Sequence, residues 1–219
     1  MKRISDLVLY KDHHLLALHK PAGIPSQQDL TEDTSLHRMA MAYAHRDLYI
    51  VHRLDRRVSG VMVFAKTKAA AAHLSRQWED KKIKKIYYAI VPNTPIPASG
   101  QLTHYLTYDQ KQNITHAHTA PLPDAEEAIL FYEIIQPLEN FMVLKIDLIS
   151  GRKHQIRAQL AAIGCPIRGD TKYGAKRTNP DGSIDLHAYS IQFQHPTKQE
   201  YVKIVAPLPE EGLWSNVRV

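Results

Sequence analysis

The residues best equipped for chemistry lie together in VHRLDRRVSG (Val51–Gly60), where one carboxylate, Asp55, stands among three guanidinium groups, Arg53, Arg56 and Arg57. An opposite charge within ~4–6 Å favours the charged form of a carboxylate. Such a carboxylate makes a poor general acid and a good permanent anion, suited to nucleophilic attack or to a positive charge that develops beside it. A solvated ion pair at the mouth of a strand uses the same residue types, and such pairs contribute only about 0–1 kcal/mol. Residue type and spacing alone leave both readings open.

A second basic group precedes an apolar repeat in SGRKHQIRAQLAAIG, where Ile156, Leu160 and Ile163 recur at the spacing of a helix that Gly164 would end. Arg152, Lys153 and His154 then fall in the first helical turn, where cations oppose the macrodipole by roughly 0.3–1 kcal/mol each. Three cations there suit a bound anion, and the N–H groups of a helix start suit phosphate. Arg157, one residue off the apolar stripe, is placed to edge into a cleft as a partly buried guanidinium. DKKIKK (Asp80–Lys85) concentrates further lysines, either as a rim facing a polyanion or as a solvated helix end. His116 and His118 share one side of a strand, but no third ligand has a convincing spacing, so no metal site is expected.

The elements that must position these groups can be read from pattern. Leu7–Tyr10 and Leu15–His19 are strand-like runs joined by the turn KDHH. KPAGIPSQ (Lys20–Gln27) is a loop. Thr34–Ala44 reads as a helix with Thr34 as its N-cap, and Thr67 caps a helix through about Asp80. Gly60–Lys66 and Ile86–Val91 are strands, and Pro92–Gly100 and Thr119–Glu127 are loops. Gln101–Tyr108 pairs with Thr115–Thr119, and Ile129–Ile135 with Phe141–Leu148. Asn179–Ser183 is a turn, and His187–Phe193 and Tyr201–Val205 close the chain. Strands outnumber helices and mostly follow one another directly, which predicts an α+β fold with a largely antiparallel sheet.

The 219 residues carry 28 Lys and Arg against 22 Asp and Glu, a net charge of +6 that fits a polyanionic partner. The one cysteine, Cys165, excludes an intramolecular disulfide and fits a reducing cytoplasm; it is expected to pack as a small hydrophobe. No apolar stretch approaches the ~20 residues of a membrane-spanning helix. The 44% hydrophobic and 23% charged composition is that of an ordinary globular chain with a real core.

The wider string around Asp55, HRLDRRVSGVMVFAKT, resembles the signature of the RluA-type pseudouridine synthases, close to H-R-L-D-x-x-T-S-G followed by an apolar strand ending in A-K. The one departure is Val58 where Thr is usual. KKIYYAIV (Lys84–Val91) resembles the family's K-x-Y-x-A-x-V element. ISGRKHQIRAQLAAIGCPIRGDTKYG (Ile149–Gly174) is similar to its T-G-R-x-H-Q-I-R element with the trailing G-x-P-I-x-G-D-x-x-Y-G. HKPAGIPSQ and LHAYSIQFQHP are further echoes, so the resemblance covers nearly the whole chain.

The resemblance implies an RNA pseudouridine synthase that needs no cofactor and no metal. Its fold would be a long mixed, mainly antiparallel sheet flanked by helices and loops around a basic central cleft. Asp55 takes the position of the essential aspartate, Tyr87 of the tyrosine facing the base, and Arg157 of the arginine pairing with that aspartate. Arg53 takes that of an arginine that contacts RNA or displaces the target base. Arg56, Arg152, Lys153 and His52 complete the expected RNA-binding set, with His52 also hydrogen-bonding the turn that presents Asp55. Val58 is expected to change loop hydrogen bonding only slightly. The expected organisation is a single catalytic domain over 1–219, without a separate N-terminal RNA-binding domain, monomeric and cytoplasmic. Its partner would be a structured RNA, a ribosomal RNA hairpin or a tRNA stem-loop. Two rivals are a non-catalytic RNA binder, against which the intact Asp, Tyr and Arg argue, and a nucleoside or sugar hydrolase, which lacks an evident second carboxylate.

Overall fold

The computed structural model describes residues 3–29, 31, 33–92 and 96–218, which form two compact units. Among the described residues are eleven strands and three α-helices, so the α+β expectation holds.

The first unit comprises residues 1–85 and 188–208. Its strands are β1 (Val8–Lys11), β2 (Leu15–Lys20), β3 (Tyr49–Ile50), β4 (Ser59–Ala65), β10 (Leu186–Gln194, from Ala188 onward) and β11 (Tyr201–Val205). The KDHH turn is a true hairpin: Asp12 Oδ1 accepts from the N–H groups of His14 and Leu15, both at 2.8 Å. β2 pairs antiparallel with β4 from Leu15↔Ala65 to Lys20↔Gly60, and β10 with β11. β4 is buried along its whole length, as expected of a central strand reading SGVMVFA. Helix α1 (Leu36–Ala44) lays Leu36 and Ala40 on Leu16, Leu18, Met62 and Phe64, all fully buried.

The cap of α1 is Ser35, not Thr34: its side chain accepts from Arg38 N–H at 3.2 Å. Thr67 caps α2 (Lys68–Glu79) as expected, accepting from Ala70 N–H at 3.1 Å. Gln77 of α2 exchanges two hydrogen bonds with the Gln194 main chain, at 2.8 and 2.9 Å, which docks the helix on β10.

Gly60 is a close approach rather than a hinge. Its φ is +126°, and a Cβ there would sit 2.3 Å from the Ala188 carbonyl oxygen. Main chain cannot move aside as a flexible side chain can, and a left-handed φ adds strain. Gly60→Ala is therefore expected to destabilise the protein by about 2–4 kcal/mol. A thermal melt in which this variant matched the parent would show that the approach is looser than described.

The second unit comprises residues 86–187 and 209–219. Its strands β5 (Lys84–Pro92, from Ile86 onward), β6 (Ser99–Asp109), β7 (Ile114–His118), β8 (Glu126–Pro137) and β9 (Phe141–Leu148) lie in the order β5-β9-β8-β6-β7, every pairing antiparallel. Both hairpins expected here form. The loop expected over Pro92–Gly100 lies partly outside the described residues. Cys165 is fully buried as a small hydrophobe. The Asn179–Ser183 turn closes through Gly182 N–H on the Asn179 carbonyl at 2.9 Å.

Helix α3 (Gln155–Ala162) corrects two expectations. It starts after the basic run: His154 is its N-cap in the left-handed region (φ 52°), so Arg152 and Lys153 lie in the preceding turn, not the first helical turn. A left-handed residue cannot belong to a right-handed helix, and the macrodipole argument for these cations falls with it. Nor does α3 bury only a stripe: every residue from Gln155 to Leu160 is buried. The polar ones are tolerated because each has partners. Gln159 donates to the Ala128 carbonyl at 3.1 Å, and Gln155 to the Ile129 carbonyl at 3.1 Å.

Candidate active site

In the first unit, the segment carrying Asp55 is irregular, so its shape depends on what grips its main chain. Ser26 Oγ donates to the Leu54 carbonyl at 2.6 Å and accepts from Leu54 N–H at 3.0 Å. The Asp55 carbonyl accepts from Val58 N–H at 3.0 Å, closing a reverse turn with Arg56 and Arg57 at its corner. The Arg56 carbonyl accepts from Gly23 N–H at 2.8 Å. The KPAGIPSQ loop therefore serves as the cradle of the Asp55 turn.

Lys20 locks cradle and turn together, a role that its place in the sequence does not reveal. It is fully buried, and Nζ donates to the carbonyls of Pro21 (2.9 Å), Ile24 (2.8 Å) and Arg56 (3.1 Å). Burial pulls its ammonium down to about 7, with the Asp55 charge drawing it up and Arg56 pushing it down. The available signal was the HKPAGIPSQ echo, but a lysine closing LLALHK reads as an ordinary strand end. An unfolded lysine keeps its proton to about 10.4. Between about 7 and that value the unfolded chain binds more protons, so this group makes stability rise with pH there and stay flat below. The melting-temperature difference between the parent and Lys20→Met should therefore shift in the parent's favour from pH 6 to pH 9.5. Equal differences at both pH values would mean that the ammonium is not desolvated.

The arginines around Asp55 have separate duties. Arg56 donates through Nε to the Gly23 carbonyl at 3.1 Å and through Nη2 to Thr31, and it forms an ion pair with Asp33. It fastens the cradle. Arg53 is exposed. His52 does not hydrogen-bond the turn: its Nε2 accepts from Val63 N–H of β4 at 2.9 Å, and its ring stacks on Trp78 at 4.8 Å. Burial, with Lys85 adding, pulls its pKa down to about 3. With an acceptor nitrogen on β4 and one face on Trp78, His52 helps to pack α2 against β4. Val58 is 2% exposed, and the bond it makes to Asp55 is a main-chain one that the missing Thr hydroxyl does not affect.

In the second unit, Tyr87 lies on β5 opposite Ile146 of β9 and is half-buried, while Tyr88 is buried. Arg157 is only 4% exposed and forms a fork on Asp170, Nε to Oδ2 at 2.7 Å and Nη2 to Oδ1 at 2.9 Å. Its guanidinium carbon lies 4.8 Å from the Tyr173 ring centroid. The Tyr173 hydroxyl accepts from Thr115 N–H at 2.8 Å and lies 2.9 Å from His154 Nδ1. The GDTKYG element thus supplies a buried anion and a ring that hold one edge of the Arg157 fork. Asp170 and Tyr173 fall within a matching motif, yet nothing in the string points to this role; thirteen residues separate Asp170 from its arginine, beyond any helical spacing.

The two basic residues of this unit that were expected to bind RNA are engaged within it. Arg152 pairs with Glu126 at 2.5 Å, and Lys153 Nζ lies 3.9 Å over the Tyr108 ring and bonds its hydroxyl. His118 Nε2 lies 2.9 Å from Thr107 Oγ1, as a polar strand residue would.

Residues 14–162 match the family model described as RNA pseudouridylate synthase. The chain belongs to that family, whose enzymes isomerise uridine in RNA to pseudouridine. It is 30% identical over 214 residues to the ribosomal large subunit pseudouridine synthase C of Rickettsia prowazekii, covering 95% of this chain and 70% of that protein. It is 31% identical to the RNA pseudouridine synthase YhcT of Bacillus subtilis, covering 93% of this chain and 69% of that protein. Among solved structures, human RNA pseudouridylate synthase domain containing 4 shares the fold. Its TM-score is 0.76 at 24% identity, over 94% of this chain and 90% of that one.

Proposed function

We propose that this chain isomerises a uridine in structured ribosomal RNA, with Asp55 as its essential carboxylate, Tyr87 facing the base and Arg157 pairing with Asp55. The observation that carries the reading is the turn around Asp55, whose main chain is gripped by Ser26, Lys20 and Gly23 so that its one carboxylate stands on a fixed, otherwise irregular segment. Pre-organising an anion in this way is useful where positive charge develops during a reaction.

Breaking the N-glycosidic bond of uridine builds such charge on the ribose. Asp55 either adds at the anomeric carbon or takes the 2′ proton; both routes use an ionised carboxylate. The uracil turns and rejoins through carbon 5, whose proton must then leave. Tyr87 takes that proton or holds the base where it can be lost. The fork of Arg157 is held by Asp170 along the Nε and Nη2 edge. Arg53 contacts the RNA or displaces the base, which costs a few kcal/mol of stacking. Arg56, Arg152 and Lys153 would meet phosphates only by exchanging their present partners. Ribosomal RNA is preferred to tRNA because relatives at about 30% identity carry ribosomal names. Among the described residues no helix is long and apolar enough to cross a membrane. A monomer in the cytoplasm, where ribosomal RNA is made in bacteria, completes the proposal.

The test uses RNA from cells lacking the gene, labelled with tritium at carbon 5 of uridine. Pseudouridine formation releases this label to water. Release from the ribosomal fraction by the parent protein is expected. Tight binding without release would favour a non-catalytic binder, and free uracil would favour a hydrolase.

A further inference from the structure

The first unit concentrates charge a second time, at the opposite end of the β2–β4 pair from the Asp55 turn. The register runs from Lys20↔Gly60 at one end to Leu15↔Ala65 at the other. At ~3.4 Å per residue the two ends are about 17 Å apart. A pocket of about 510 Å³ opens at the far end, lined by Lys11, Asp12 and His13 of the β1–β2 hairpin, Ala44 and Arg46 after α1, and Lys66 after β4.

Three basic side chains from three separate elements, Lys11, Arg46 and Lys66, meet one carboxylate there, and that carboxylate is already committed. Asp12 Oδ1 accepts from His14 and Leu15 N–H, and Oδ2 from the Tyr10 hydroxyl at 2.8 Å and from His195 Nε2 at 2.6 Å. Glu200, the other acid near Tyr10, lies 3.5 Å from Lys198. Lys66 is 7% exposed and gives one bond to the Asp12 carbonyl, leaving further donors on its ammonium. Lys11 packs 4.8 Å over the Tyr43 ring, and neither Lys11 nor Arg46 has a side-chain ion pair among the described residues. Burial, with Lys11 and Arg46 adding to it, lowers the Lys66 pKa, while Asp12 raises it. The cations therefore repel one another in a space that a bound anion would neutralise. The lining has no Phe, Tyr, Trp, Asn or Gln side chain, and its exposed Lys11, His13 and Arg46 suit backbone contact.

We propose that this pocket binds a backbone phosphate of the RNA, away from the reacting nucleotide, with Lys11, Arg46 and Lys66 as its cationic wall and His13 as a further donor. The proposal rests on the RNA reading above. It makes the pocket an anchor that sets the register of the substrate relative to Asp55 across the first unit.

The test compares the parent, Lys11→Glu/Arg46→Glu and a control at the exposed Lys203 of β11, Lys203→Glu, on a fluorescein-labelled uridine-rich RNA stem-loop across a salt series. Both pocket residues are exposed, so equal melting temperatures are expected. The pocket variant should raise Kd about tenfold and make the slope of log K against log salt shallower by about 1.5. On the tritiated ribosomal RNA its kcat at saturation should be unchanged. Kd and slope equal to the parent's would overturn the proposal, as would a Kd change no larger than the control's. A 31P titration with inorganic phosphate separates a small-anion site: saturation by phosphate without any effect of the variant on RNA affinity would also overturn it. Tritium release by the parent with unaltered binding by the variant sinks this inference alone. Variant-sensitive binding with no release by either protein sinks the isomerase reading alone.

Discussion

Asp55→Asn is expected to abolish tritium release from 5-labelled uridine, lowering the rate by at least about 10³-fold while RNA binding persists. The substitution keeps the shape of the side chain and removes its charge. The turn should survive it, because the bonds from Val58, Gly23, Ser26 and Lys20 that define it all end on main chain. Stability should nevertheless respond in a pH-dependent way. Asp55 is the group that raises the Lys20 pKa, and without it the buried ammonium has burial and Arg56 against it. Below about 7, where folded Lys20 carries its proton, the variant should lose more melting temperature than at pH 9.5, where Lys20 is neutral in the folded state. An Asp55→Asn protein that still released tritium would remove the carboxylate from the mechanism and with it the central assignment.

Asp170→Ala is expected to cost about 3–5 kcal/mol, because it leaves a guanidinium only 4% exposed without the anion that grips two of its nitrogens. For a protein of this size that lowers the melting temperature by roughly 6–20 °C. The informative variant is the double one, Arg157→Met with Asp170→Leu. Apolar residues of similar volume often replace a buried ion pair without loss of stability. The double variant should therefore recover most of the melting temperature that Asp170→Ala loses and yet remain inactive. Recovery of both stability and turnover would make the Arg157–Asp170 pair a packing device and end the role proposed for Arg157. Arg157→Met alone should reduce turnover; unchanged turnover and RNA binding would end that role equally.

Local signals accounted for much of the fold. Thr67 caps α2 because a hydroxyl before an Ala-rich run satisfies a free N–H, and that chemistry is visible over four residues. KDHH between two apolar runs makes a hairpin because Asp12 bonds to main chain two and three residues on. Thr34 and Ser35 are adjacent and chemically alike as caps, so only the geometry chose Ser35. The start of α3 was misplaced for a different reason: apolar spacing shows where a helix packs, not where a left-handed residue such as His154 blocks it.

The candidate site divides in the same way. Residue type and spacing left Asp55 open to a surface ion pair; the resemblance carried by HRLD, KKIYYAIV and GRKHQIR is what assigned roles to Asp55, Tyr87 and Arg157. What holds them depends on contacts between residues far apart in the chain. Lys20 meets the Arg56 carbonyl across 36 residues, and Ser26 meets Leu54 across 28. His52, which reads as part of the chemical string, turned inward onto Val63 and Trp78. Sequence alone therefore determined the family and the order of the elements, and it nominated the residues proposed for the chemistry. Only the tertiary structure decided which cations are spent on main chain or buried acids and which, at Lys11 and Arg46, are left to face solvent. That division follows from desolvation: a buried charge is kept only where folding brings it partners, and those partners come from other elements of the chain.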